Sequence, residues 1–139
     1  MDIKVFNYLP DGALDVRITV FVDEQGFCDE VDDTDSVATH LLMFDGEKPI
    51  ATCRIFPGET PEKYILGRLC VLREYRSQGL GSTLLAAAEK AAKNNGAHSL
   101  WLHSQLQAKD FYSRLGYIVS SDIEYEQHAP HVWMKKDLT

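Results

Sequence analysis

Apolar residues recur along this chain with two different periods, and the changes between them mark off strands from helices. Residues 3–8 read as a first strand, which Pro10-Asp11-Gly12 ends. Leu14, Ile18, Phe21 and Val22 then repeat at helical spacing, with Gly26 as the stop. Residues 37–44 and 49–56 are strand-like and flank Asp45-Gly46, which predicts a hairpin. Pro57-Gly58 and Pro61 punctuate a loop, and Tyr64–Leu72 is a mainly apolar run suited to a central strand. From Gly79 to Asn95, Leu80, Leu84, Leu85, Ala88, Ala91 and Ala92 trace one helical face. Glu89, Lys90 and Lys93 take the other, and Asn94-Asn95-Gly96 ends the helix. Ser99–His103 is a short strand and Ala108–Leu115 a helix stopped by Gly116. Residues 117–125 and 131–136 are two last strands that form an antiparallel pair.

The predicted order is β-α-β-β-β-α-β-α-β-β, with a strand-helix-strand crossover at its centre. That order predicts a mixed α/β layer fold whose sheet is partly covered on both faces. No internal repeat, low-complexity tract or linker interrupts it, so residues 1–139 read as one domain.

Composition narrows the function. Hydrophobic residues make up 45% of the 139, which excludes a wholly disordered chain. No apolar run approaches the ~20 residues of a membrane helix. Met1-Asp2-Ile3-Lys4-Val5-Phe6 lacks the features of a secretion signal, so a cytoplasmic protein with no membrane association is expected. A pI of 5.1 argues against nucleic acid as a partner. Cys28, Cys53 and Cys70 are odd in number and fit neither a zinc ribbon nor a disulfide framework. Buried reduced thiols are expected, and no metal.

Charge is uneven. Residues 23–35 hold seven acids and no Lys or Arg, which accounts for the whole formal charge of −7. The segment reads as a solvated acidic loop or as a negative rim that attracts a cationic amine. It lacks the spacing and central Gly of a calcium loop.

The segment richest in chemistry is Arg76-Ser77-Gln78-Gly79-Leu80-Gly81-Ser82, which follows a strand and opens a helix. Two glycines let the backbone turn tightly, and the helix N-terminus presents amide N–H groups at the positive end of its dipole. Such a bend is either a purely structural turn or a cradle for phosphate. It lacks the Lys-Ser or Lys-Thr of a Walker loop. It also lacks the third glycine and the distal acid of a dinucleotide fold, which disfavours a nucleotide-phosphate protein.

Arg76-x-x-Gly79-x-Gly81 after an apolar strand resembles the acyl-CoA pyrophosphate motif of the GNAT superfamily of N-acyltransferases. Gln105-x-x-Ala108-x-x-Phe111-Tyr112-x-x-x-Gly116-Tyr117 resembles a second GNAT signature, with Gln for the usual Asn and Tyr for the usual Phe. Both motifs are in register over residues 37–136. Val20–Gly26 and Pro130-His131-Val132-x-Met134 extend the similarity to a small bacterial, mostly uncharacterised subgroup of that superfamily.

The resemblance implies a GNAT-like, mainly antiparallel sheet with a central splayed parallel strand pair, flanked by helices. It implies that Leu69, Cys70 and Val71 pair with the pantetheine arm of acetyl-CoA as an added strand would. Arg76, Ser77, Gln78, Gly79, Leu80, Gly81 and Ser82 would hold the pyrophosphate, and Gln105 would touch the arm. Tyr112 would protonate the departing thiolate while a backbone N–H from residues 69–71 stabilises the oxyanion. The acceptor would be a primary amine, the assembly commonly a homodimer. His103 and Glu24 are candidates for the base that deprotonates the amine. A sensor that binds acyl-CoA without transferring it is the alternative. Cys70 reads as a buried thiol, and His128 with His131 as turn or packing residues. Arg54 and Arg68, in apolar strands, require carboxylate partners from the 23–35 segment or from an acceptor.

Overall fold

The computed structural model describes residues 1–28 and 31–139; Asp29 and Glu30 of the acidic segment lie outside that description. The strands are β1 (Asp2–Phe6), β2 (Thr39–Asp45), β3 (Lys48–Pro57), β4 (Lys63–Val71), β5 (Ser99–Gln105), β6 (Ile118–Val119), β7 (Glu124–Glu126) and β8 (Ala129–Asp137). They form one sheet in the order β1-β2-β3-β4-β5-β8-β6, with β7 also paired to β8. Among the described residues the β4–β5 pair is parallel and the other pairings are antiparallel. This is the mixed architecture the pattern predicts.

The helices are α1 (Asp11–Arg17), α2 (Leu80–Asn94) and α3 (Lys109–Arg114). Ile50 to Ile55 of β3 are buried without regard to the face each side chain takes. Alternation has vanished because α1 and α2 both pack on β3 and shield it from water on either side. Leu84, Leu85, Ala88 and Ala92 form the buried stripe of α2, and they join Met43, Ile50, Ile55, Leu100 and Met134 in the core. The alanines let the helix lie close to the sheet.

The first predicted helix is not uniform. Regular winding stops at Arg17, and Ile18–Glu24 is wound more widely, with Gln25 N–H donating to Val20 C=O at 3.1 Å. Three β-branched residues, Ile18, Thr19 and Val20, crowd the regular turn there. The single strand expected over 117–125 is instead β6 and β7. Ser121 lies between them, and its Oγ accepts the Trp133 backbone N–H at 2.9 Å, a place a neighbouring strand would fill. The Asp45-Gly46 hairpin is present, with Gly46 at φ 61° and Asp45 facing Lys48. Among the described residues no helix is long and apolar enough to cross a membrane.

Candidate active site

The central parallel pair parts after four residue pairs. β4 matches β5 from Lys63↔Ser99 to Leu66↔Leu102 and then loses it. Beyond that point β4 stays with β3 out to Val71, and β5 stays with β8 out to Gln105. The cause is a bulge. Thr52 faces Cys70 and Arg54 faces Gly67, so three steps along β4 answer two along β3. Arg68 takes the extra place with φ 56°, in the left-handed region a side chain rarely adopts. The bend carries Leu69–Val71 away from β5 and opens a gap.

Two cavities meet in that gap. One, of about 570 Å³, is lined by Leu69, Cys70, Val71, Arg76, Ser77, Gly79, Leu80, Gly81 and Ser82. The other, of about 560 Å³, is lined among others by Arg54, Arg68, His103, Gln105, Glu126 and Trp133. Phe21, Gln25, Leu69, Ala108 and Tyr112 belong to both walls.

The first cavity ends on the N-terminus of α2. Ser77 and Gly79 turn through φ 65° and 76°. The first intrahelical bond runs from Thr83 N–H to Gly79 C=O, so the N–H groups of Leu80, Gly81 and Ser82 have no carbonyl one turn back. A Cβ on Gly81 would stand 3.3 Å from the Phe111 ring, so the glycine lets α3 close against this turn. Arg76 is fixed twice. Its Nε donates to Val71 C=O at 2.9 Å, and its two terminal nitrogens donate to Glu24 Oε2 and Oε1 at 2.7 and 2.8 Å. These bonds from Arg76 hold the Glu24 carboxyl below its usual range. Glu24 thus stands beside the Gly turn, and it lines neither cavity. Gln78 is likewise outside both linings.

Tyr112 is 7% exposed, between Phe111 and Tyr117, whose rings meet it edge-on at centroid distances of 5.0 and 5.8 Å. Burial drives its phenol pKa well up, with the Cys53 and Cys70 thiols adding to the effect, so the hydroxyl keeps its proton at neutral pH. Cys70 and Cys53 are buried as expected; Cys28 is exposed, which corrects the reading of three buried thiols. It lies on the surface beside Gln127, to whose Oε1 its Sγ donates at 3.3 Å.

Gln105 lies in the second cavity and donates to Gln25 Oε1 at 2.8 Å, while Gln107 donates to its Oε1 at 2.9 Å. His103 is stacked between His131 and Trp133 at centroid distances of 4.8 and 4.7 Å. Its Nδ1 lies 3.2 Å from Glu126 Oε2. Its Nε2 is buried with Glu124 Oε1 3.2 Å away, off the line of a hydrogen bond. Glu124 and Glu126 were missed by the sequence reading. The visible signal was the spacing Glu-Tyr-Glu, which puts both acids on one side of a strand.

The partners of the two strand arginines come from the acidic segment. Arg54 donates to Asp32 at 2.6 and 3.1 Å and to Asp35 at 2.9 Å, and Arg68 donates to Asp32 at 3.3 Å. Arg17 of α1 makes a bidentate pair with Asp35 at 2.7 and 3.1 Å. Burial raises the Asp35 carboxyl, but hydrogen bonds from Arg17, the Asp32 backbone N–H and Arg54 outweigh it and hold the pKa far below the usual range. Asp32 and Asp35 therefore act as a strut joining α1 to β3 and β4, and Glu24 is matched to Arg76. His128 and His131 bond to the backbone carbonyls of Gln25 and Ala129, at 3.1 and 3.0 Å.

Residues 16–138 match the family model of the acetyltransferase (GNAT) domain. The chain belongs to the GNAT acetyltransferase family. It is similar to an uncharacterised N-acetyltransferase of Bacillus subtilis, YjcF, at 39% identity over 128 residues covering 90% of each chain. A Lactobacillus plantarum protein of known crystal structure superposes with a TM-score of 0.88 at 31% identity, over 100% of both chains. The crystal structure of an aminoglycoside 6'-N-acetyltransferase complexed with coenzyme A shares the fold, with a TM-score of 0.79 at 14% identity over 100% and 98% of the two chains. This GNAT protein is an acyl-CoA-dependent N-acetyltransferase.

Proposed function

We propose that this GNAT protein transfers an acetyl or small acyl group from acetyl-CoA to a primary amine by direct attack, through a tetrahedral intermediate. The observation that carries the reading is the meeting of two cavities at Tyr112 and Leu69, inside the gap between β4 and β5. A sensor needs only the first cavity; a second one opening on the same tyrosine favours transfer.

The residues present fit acetyl-CoA. The N–H groups of Leu80, Gly81 and Ser82 face the pyrophosphate, with Gln78 and Ser77 completing the turn and Arg76 alongside. The β4 backbone at Leu69, Cys70 and Val71, without its β5 partner, pairs with the amides of the pantetheine arm. Gln105 lies where the arm enters the second cavity.

Chemistry then falls to a few groups. The acceptor ammonium gives one proton to the His103–Glu126 pair, and the neutral nitrogen attacks the thioester carbonyl carbon. A β4 N–H from residues 69–71 stabilises the oxyanion. As the C–S bond breaks, Tyr112 gives its hydroxyl proton to the thiolate, and the phenolate recovers a proton from the new amide nitrogen. The products are the N-acyl amine, CoA thiol and one proton passed to solvent. Glu24 takes no part as base, because both its oxygens are engaged by Arg76. A screen of acetyl-CoA against a panel of amines, reading free thiol and N-acetyl product together, tests this reading. Saturable CoA uptake with no acylated product from any amine contradicts it.

A further inference from the structure

We propose that Glu126 is the seat of the acceptor's ammonium group, and that His103 is the positioning residue that aims it. This rests on the acyl-transfer reading for the identity of the cavity and goes beyond it in naming what the acceptor presents: a protonated amine on a slender, flat or apolar body.

The argument begins with β7. Glu124 and Glu126 stand two apart on a strand paired to β8 through Glu124↔His131 and Glu126↔Ala129, so both acids share one side of it. That side meets His103 of β5, which reaches Glu126 through Nδ1 and faces Glu124 with Nε2, both at 3.2 Å. The ring cannot swing away, because His131 and Trp133 cover its two faces. Its nitrogens point at carboxylates, so His103 offers little edge to a substrate directly. Glu126 does offer one. It lines the second cavity, and a carboxylate has about four lone-pair sites, of which the imidazole takes one.

The rest of that wall suits the same ligand. Phe27, Phe56, His131 and Trp133 line the same cavity as the acid, and an ammonium is attracted to ring faces as well as to a carboxylate. Among the described residues, the charges facing the group from other elements are His103, beside Glu124 and Glu126, and a cluster in which Arg17, Arg54 and Arg68 outnumber Asp32 and Asp35 by one. His103 carries one positive charge at most against Glu124 and Glu126. Arg54 and Arg68, from β3 and β4, are held by Asp32, and Arg54 also by Asp35.

Calorimetry with phenethylamine and with its neutral isostere 2-phenylethanol, at neutral pH and with and without unacylated CoA, tests the seat without any turnover. The wild-type protein is expected to take the ammonium at least tenfold more tightly than the alcohol. Glu126→Gln, which keeps the shape and removes the charge, is expected to erase that preference and leave CoA affinity unchanged. His103→Asn is expected to reduce it partly. Equal affinity for the two probes, no uptake of the ammonium at millimolar concentration, or a preference that survives Glu126→Gln overturns the proposal. A protein that prefers the ammonium but yields no N-acetyl product leaves the seat standing and overturns acyl transfer instead. A protein that acetylates amines with the same KM after Glu126→Gln overturns the seat alone.

Discussion

Glu24 holds Arg76 with both carboxylate oxygens, at 2.7 and 2.8 Å, across 52 positions of sequence. The contact ties the end of the first helical segment to the turn that opens α2. It also sets a negative charge next to the turn proposed to hold the pyrophosphate. The Val71 carbonyl fixes the Arg76 Nε independently at 2.9 Å, so the guanidinium keeps its place without the acid.

Glu24→Gln is therefore expected to strengthen CoA binding, by up to about fivefold, since partly exposed ion pairs are worth at most about 1 kcal/mol. Arg76→Ala is expected to weaken it about tenfold, in line with one charged hydrogen bond. Calorimetry with CoA at two salt concentrations reads both. Weaker binding by Glu24→Gln shows that the acid serves the site by orienting Arg76 rather than by opposing the phosphate.

Tyr112→Phe removes a hydroxyl that burial keeps protonated. Turnover is expected to fall about a hundredfold or more, the usual weight of a general acid, with the CoA dissociation constant nearly unchanged. Equal turnover at saturating substrates rules Tyr112 out as the proton donor.

The turn is sensitive to side chains. Gly79 sits at φ 76°, and an alanine there is expected to cost about 1 kcal/mol or more in strain. Gly81→Val places its branch against Phe111, whose ring a bare Cβ would already approach to 3.3 Å. Both variants should lose CoA affinity more than thermal stability, read by paired calorimetry and melting curves. A variant that melts early yet binds CoA normally would make the glycines structural only.

The strut of Arg17, Asp35 and Arg54 predicts an acid-sensitive fold. The Asp35 pKa is lowered on folding, so its stabilisation is complete above the unfolded carboxylate value of about 3.9 and is lost as pH falls from there toward the folded value. Asp35→Ala leaves Arg17, 1% exposed, without that carboxylate, and is expected to cost about 3–5 kcal/mol. Denaturant titrations at pH 7 and pH 3 should show a large gap between wild type and variant at the higher pH and a smaller one at the lower. A constant gap contradicts the assignment.

Much of this was legible in the sequence for identifiable reasons. The hairpin at Asp45-Gly46, the helix over 80–94 and the parallel crossover follow from local signals: a turn dipeptide, an alanine-rich stripe and a bounded apolar run. The two glycines at a helix start marked a bend, and the resemblance of Arg76-x-x-Gly79-x-Gly81 to a family motif supplied its reading as a phosphate cradle. What escaped was tertiary. Nothing local shows that Arg68 occupies a bulge, because the extra residue exists only relative to β3. For Arg54 and Arg68 the sequence left open whether the partner was an acid of the 23–35 segment or an acceptor, because only the fold brings Asp32 and Asp35 to them. His103 looked like an open base because the two glutamates that face it arrive on β7, more than twenty residues later.

A crystal structure of the protein grown with CoA tests the central claim most directly. The account predicts the pyrophosphate on the N–H groups of Leu80, Gly81 and Ser82, the pantetheine arm along Leu69–Val71, and the thiol within reach of the Tyr112 hydroxyl. A ligand bound elsewhere, or an arm that does not enter between β4 and β5, would contradict it.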